Sequence, residues 1–68
     1  MKYMFNVGEY VLNQKTGNIG KVIGYGHQLL TEGYTTTLKV LVDYARTSGK
    51  PGMIEEDVYS SWSKWVKS

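Results

Sequence analysis

The sequence predicts an all-β fold, a small five-stranded antiparallel barrel, and three observations carry that prediction. Short β-branched and aromatic runs are separated by clusters of Gly, Asn, Thr and Ser. Residues 35–44 alternate between apolar and polar side chains, the period-two pattern of a half-buried antiparallel strand. Gly20 and Gly24 interrupt the second run, and glycine inside a strand marks a bulge, a bend or a close approach of another backbone.

The elements follow in order. Tyr10-Val11-Leu12 reads as the first strand, entered through Gly8-Glu9 and left through the turn formers Asn13-Gln14-Lys15-Thr16-Gly17-Asn18. Ile19 to Tyr25 reads as the second, with Gly20 and Gly24 on the same face as Val22 because side chains alternate. Gly26 to Tyr34 reads as a long loop, the kind of segment in which binding residues concentrate.

Thr35 to Tyr44 is the third and clearest strand. Thr36, Leu38, Val40, Val42 and Tyr44 share one face, and Thr35, Thr37, Lys39, Leu41 and Asp43 share the other. Leu38, Val40 and Val42 are expected in the core, opposite Val7, Val11 and Val22. A second loop spans residues 45–52, with Ser48-Gly49-Lys50-Pro51-Gly52 as a strong breaker.

The C-terminal third supports two readings. Val58, Trp62, Trp65 and Val66 fall at helical spacing, with acids before them and Lys64 and Lys67 after, as a helix dipole favours. The barrel reading makes Met53-Ile54 a fourth strand, places a 3-10 turn near 55–57, and starts a fifth strand at Val58. It is preferred because Tyr59-Ser60-Ser61-Trp62 holds no strong helix former and four strands alone leave an open edge. The chain is then one domain, residues 1–68, with the barrel over about 5–62 and a short tail at 63–68.

Size and composition bound the function. A chain of 68 residues buries only about 60% of the surface its unfolded form exposes. Its stability is then roughly 3–5 kcal/mol unless a staple adds to it. There is no cysteine, which removes disulfides, thiolate metal sites and Cys nucleophiles. That composition suits a reducing, cytoplasmic home. Met1-Lys2-Tyr3-Met4-Phe5 lacks the apolar run of a signal peptide, and nothing approaches the roughly 20 apolar residues of a transmembrane helix. The protein is expected to be soluble or peripherally attached to a larger complex.

The net charge of +2 comes from eight basic and six acidic residues, a weaker basic bias than nucleic-acid binders usually carry. With one histidine and no base beside Ser60, Ser61 or Ser63, no enzymatic role is expected, and no cofactor or metal. Glu55-Glu56-Asp57 reads as a solvated turn rather than a cation site, since adjacent side chains on a tight turn diverge. The glycines at 20, 24 and 26 lead into no helix, so they read as geometry rather than a phosphate loop.

The Val7-Gly8-Glu9-Tyr10-Val11 opening, the Gly17-Asn18-Ile19-Gly20-Lys21-Val22 strand entry and Glu55-Glu56-Asp57-Val58 resemble SH3-like barrels of the KOW/Tudor type. They are also similar to small accessory subunits of photosynthetic electron transport, the PsaE-like chains and the variable chain of ferredoxin–thioredoxin reductase. The resemblance spans about residues 5–61. It implies a non-enzymatic binding barrel, either an accessory or regulatory subunit with a protein partner or, as the alternative, an RNA- or DNA-binding barrel.

Six Tyr, two Trp and one Phe exceed what so small a core absorbs. Two outcomes are open: packing under the N-terminal segment, the long loop or the tail, or an exposed patch that binds a partner. Binding candidates are Tyr25, Ile23, Lys21 and Leu41 facing away from the core, His27 and Tyr34 in the long loop, and Trp65 in the tail. Trp62 is expected to pack and Trp65 to be largely exposed. Self-association through an exposed edge or patch is also consistent with the sequence.

Overall fold

The computed structural model describes residues 5–45 and 52–66. Five strands form one antiparallel sheet: β1 Tyr10–Asn13, β2 Ile19–Leu30, β3 Gly33–Tyr44, β4 Ile54–Val58 and β5 Trp62–Lys64. Their spatial order is β4-β3-β2-β1-β5, so the chain meanders through four strands and returns beside the first. Among the described residues no helix is long and apolar enough to cross a membrane. The Ser48–Pro51 breaker, Lys67 and Met1–Met4 lie outside the described residues.

The connection from β4 to β5 dictates the sheet's curvature. Val58 and Trp62 are joined through the 3-10 turn Tyr59–Ser61, a reach of at most about 14 Å. In a flat five-stranded sheet the two edge strands would lie about 19 Å apart. The sheet therefore coils to bring its edges together, although they share no ladder and the barrel stays open.

This turn corrects two expectations. Residues 55–57 belong to β4 and pair with β3, Glu55 opposite Val40, Glu56 opposite Lys39 and Asp57 opposite Leu38. The 3-10 turn lies at Tyr59–Ser61, and the fifth strand begins at Trp62 rather than Val58. The three acids hold polar side chains across the sheet: Asn18 Nδ2 donates to Glu55 (3.4 Å), Thr37 Oγ1 to Glu56, and Asn13 Nδ2 to Asp57 (3.2 Å). They are not a solvated turn.

The core consists of Phe5, Val11, Val22, Leu38, Val40, Val42 and Trp62, with Tyr25 and Tyr59 packed against it. Val7 is a further correction, being 60% exposed. Asn6 to Glu9 form a turn in which Glu9 N–H donates to the Asn6 carbonyl (3.1 Å) and Gly8 takes a φ of +97°. Val7 sits at the corner of that turn and points outward, and Phe5 fills the core position instead.

Two register shifts aim the side chains of the central hairpin. Val22 opposes Val40 but Gly24 opposes Lys39, which makes Ile23 an extra residue on β2. Beyond it the faces exchange. Tyr25 turns inward opposite Leu38, and Gly24 turns outward into open space. Gly20 stays on the core side, where a side chain would collide with the Leu41 carbonyl and the Val40 methyl. The second shift falls where Ile19 opposes Tyr44 but Gly20 opposes Val42, leaving Asp43 as the extra residue on β3.

The largest departure from expectation is the segment 26–34. It is no loop: β2 runs on to Leu30, the turn Thr31-Glu32 is closed by Gly33 at φ +117°, and β3 begins at once. β1 pairs with β2 only at 19–21 and β4 pairs with β3 only at 37–41. Residues 27–36 therefore pair only with each other, as a two-stranded ribbon that extends past the rest of the sheet.

Candidate functional site

On the outward face, one row of residues crosses four strands in register: Tyr10 opposes Lys21, Lys21 opposes Leu41, and Leu41 opposes Ile54. All four are exposed. The row follows from alternation, because Val11, Val22 and Val40 beside it point into the core. Lys21 lays its Nζ over the Tyr10 ring, 5.7 Å from the centroid, within cation–π range.

At the β1 end this row opens into a cleft of about 560 Å³ lined by Tyr10, Ile19, Asp43, Tyr44, Trp65 and Val66. Three local features build it. The β3 register shift brings Asp43 into the lining beside Tyr10. Interaction with the Asp43 carboxylate, by hydrogen bonding and by its negative charge, raises the Tyr10 phenol above its ordinary range. Trp65 is fixed by its backbone N–H, which donates to the Tyr10 carbonyl (3.0 Å) and extends the β1–β5 pairing by one step. Tyr44 ends β3, beyond the core residues Leu38, Val40 and Val42, and is exposed.

The expected binding residues divide between several places. Lys21, Ile23 and Leu41 are exposed on the strands, and Trp65 is exposed just after β5. Trp65 is 41% exposed against 4% for Trp62, whose indole Nε1 donates to the Asp57 carbonyl (3.2 Å). Trp65 nevertheless belongs to the sheet through Tyr10 and is no free tail. Tyr25 does not face away from the core: the Ile23 bulge turns it inward, and its hydroxyl donates to the Phe5 carbonyl (2.5 Å). His27 lies on the ribbon opposite Thr36, and Tyr34 lies near its tip opposite Leu29. Both are exposed and distant in sequence register from the cleft.

Tyr44, Asp43 and Ile19 are cleft residues that the sequence pattern does not single out. Asp43 shares an outward parity with Leu41, which was the available signal, but its partnership with Tyr10 depends on a register shift that alternation does not encode. Compared with protein-family models, curated proteins and solved structures, the chain matches none.

Proposed function

We propose that the chain is a non-enzymatic protein-interaction module of SH3-like type, a small accessory or regulatory subunit that docks its partner on the Tyr10–Tyr44–Trp65 cleft and the adjoining outward row. The observation that carries this reading is three exposed aromatic rings grouped at one site, beside the apolar Leu41 and Ile54. Tyr and Trp bury large areas at small entropic cost, which is why they dominate interface energetics. The strand order and the short turn between β4 and β5 support the SH3-like assignment.

The alternative, an RNA- or DNA-binding barrel, draws on the outward Lys21 and Lys39. It is disfavoured because Asp43 lines the cleft and Glu56 pairs with Lys39 across the sheet. Phosphate would meet carboxylate at both places.

The test is capture from an extract of the source organism by the immobilised chain and by a Tyr44→Ser/Trp65→Ser variant. The expected result is a stoichiometric protein retained by the first and lost by the second, at little change in melting temperature. Recovery of no protein would overturn the reading, as would retention of single-stranded oligonucleotide that collapses as salt is raised.

A further inference from the structure

We infer that the cleft recognises a cationic side chain of an extended partner segment, an arginine above a lysine. This inference rests on the interaction reading above and names the chemistry of its anchor. Among the described residues, Asp43 is the one charged group lining the cleft, and no ion pair in that set neutralises it. A carboxylate offers about four lone-pair sites. Asp43 is exposed, so that capacity is open to the solvent of the cleft between Tyr10, Tyr44 and Trp65.

The walls match the same ligand. Aromatic faces attract a cation through their quadrupole, and the chain already demonstrates this with Lys21 over Tyr10. Lys21 does not line the cleft, so the Tyr44 and Trp65 rings stay open to an incoming group. A guanidinium is planar, stacks on aromatic rings and presents a fork of donors to a carboxylate, whereas an ammonium is a compact, strongly hydrated point charge. Stacking and bidentate bonding together are available only to the former. An acidic or neutral side chain gains neither term, and an acidic one is repelled by Asp43.

Four blocked tripeptides serve as probes: acetyl-Gly-Xaa-Gly-amide with Arg, Lys, Leu or Glu at the centre. The readout is the two indole N–H resonances, assigned with Trp65→Phe, which removes one of them. The expected result is movement of the Trp65 signal by the Arg probe at a concentration about tenfold lower than by the Leu probe, since a hydrogen bond to a charged group is worth about that factor. The Lys probe falls between them, the Glu probe is weakest, and the Arg advantage shrinks as salt is raised.

Asp43→Asn should abolish the Arg preference, while Tyr10→Phe, which keeps the carboxylate, should retain it. An unshifted Trp62 signal shows that each variant is folded. Equal midpoints for Arg and Leu, or an Arg preference that survives Asp43→Asn, overturn the cationic anchor. Binding of the Leu probe with no Arg advantage leaves the interaction surface standing, while the capture experiment above decides that surface separately.

Discussion

Tyr25 and Tyr59 hold opposite sides of one peptide unit pair at Phe5: the Tyr25 hydroxyl donates to the Phe5 carbonyl, and the Tyr59 hydroxyl accepts from the Phe5 N–H (3.1 Å). The Phe5 ring lies edge-on to Tyr59, centroids 5.1 Å apart at 67°. Two aromatics that look surplus to a small core thus fasten the N-terminal segment across it. Each contributes an apolar ring inside and a polar atom to a backbone group that would otherwise lose water unpaired.

Removing one hydroxyl should therefore cost stability without emptying space. Tyr25→Phe and Tyr59→Phe are each expected to lower unfolding free energy by about 1 kcal/mol. Phe5→Ala should cost about 3–5 kcal/mol and leave little folded protein. Urea titration of the two single variants and the double variant measures this, and additive losses would show that the hydroxyls act independently.

The glycines of β2 should separate cleanly. Gly20→Ala drives a methyl into the Leu41 carbonyl and Val40, atoms of the sheet itself that cannot swing aside. A loss of at least about 1–3 kcal/mol is expected. Gly24→Ala meets open space and should be neutral, or stabilising by up to about 1 kcal/mol through the unfolded state. Melting temperatures compare the pair directly. Equal effects would argue against the register shift at Ile23.

Acid should weaken the fold through Asp57. Partial burial works against its charged form, but hydrogen bonds from Asn13 and the Val58 N–H, with the Lys15 ammonium 3.4 Å away, outweigh that and lower its pKa. A depressed folded pKa means that the carboxylate's contribution is complete above its unfolded value of about 3.9 and is lost as pH falls through the folded value. Asp57→Asn should flatten the acid limb of stability against pH. Lys15→Ala should change stability by less than about 1 kcal/mol, because that pair is solvent-exposed.

Trp62 and Trp65 should differ in kind. Trp62→Ala opens the core and breaks the indole bond to Asp57, at a cost of about 3–5 kcal/mol. Trp65→Ala leaves the backbone bond to Tyr10 in place and should shift stability by less than about 1 kcal/mol. Thermal unfolding of both variants checks the contrast, and a large loss for Trp65→Ala would mean that its ring is structural.

The all-β class, the first two strand starts and most of the core are legible because they rest on local signals. Val11, Val22, Leu38, Val40 and Val42 stand at alternating positions between turn formers, and all are buried. What alternation misses is anything that depends on a residue of phase. One extra residue at Ile23 reverses the faces of Tyr25 and Gly24, and the glycine beside it signals a bulge, a bend or a close approach without saying which. Gly26-His27-Gln28 and the Thr31–Tyr34 stretch have too little apolar alternation to announce a strand. They pair because the body of the hairpin has already set their register. The site was half legible: Leu41 of the outward row follows from parity and Trp65 of the cleft from its place near the C-terminus, while Asp43 beside Tyr10 is a product of the β3 shift.

The ribbon of residues 27–36 gives the molecule two tiers of expected protection. A two-stranded hairpin alone is marginal in water, and this one carries Leu29 and Tyr34 at its exposed end, 65% and 74% open. Its backbone amides are expected to exchange with solvent by local fraying, whereas those of Val22 and Val40 should wait for global unfolding, a contrast that hydrogen exchange measures. The ribbon is then an appendage that opens while the body of the sheet, and the cleft on it, stay folded.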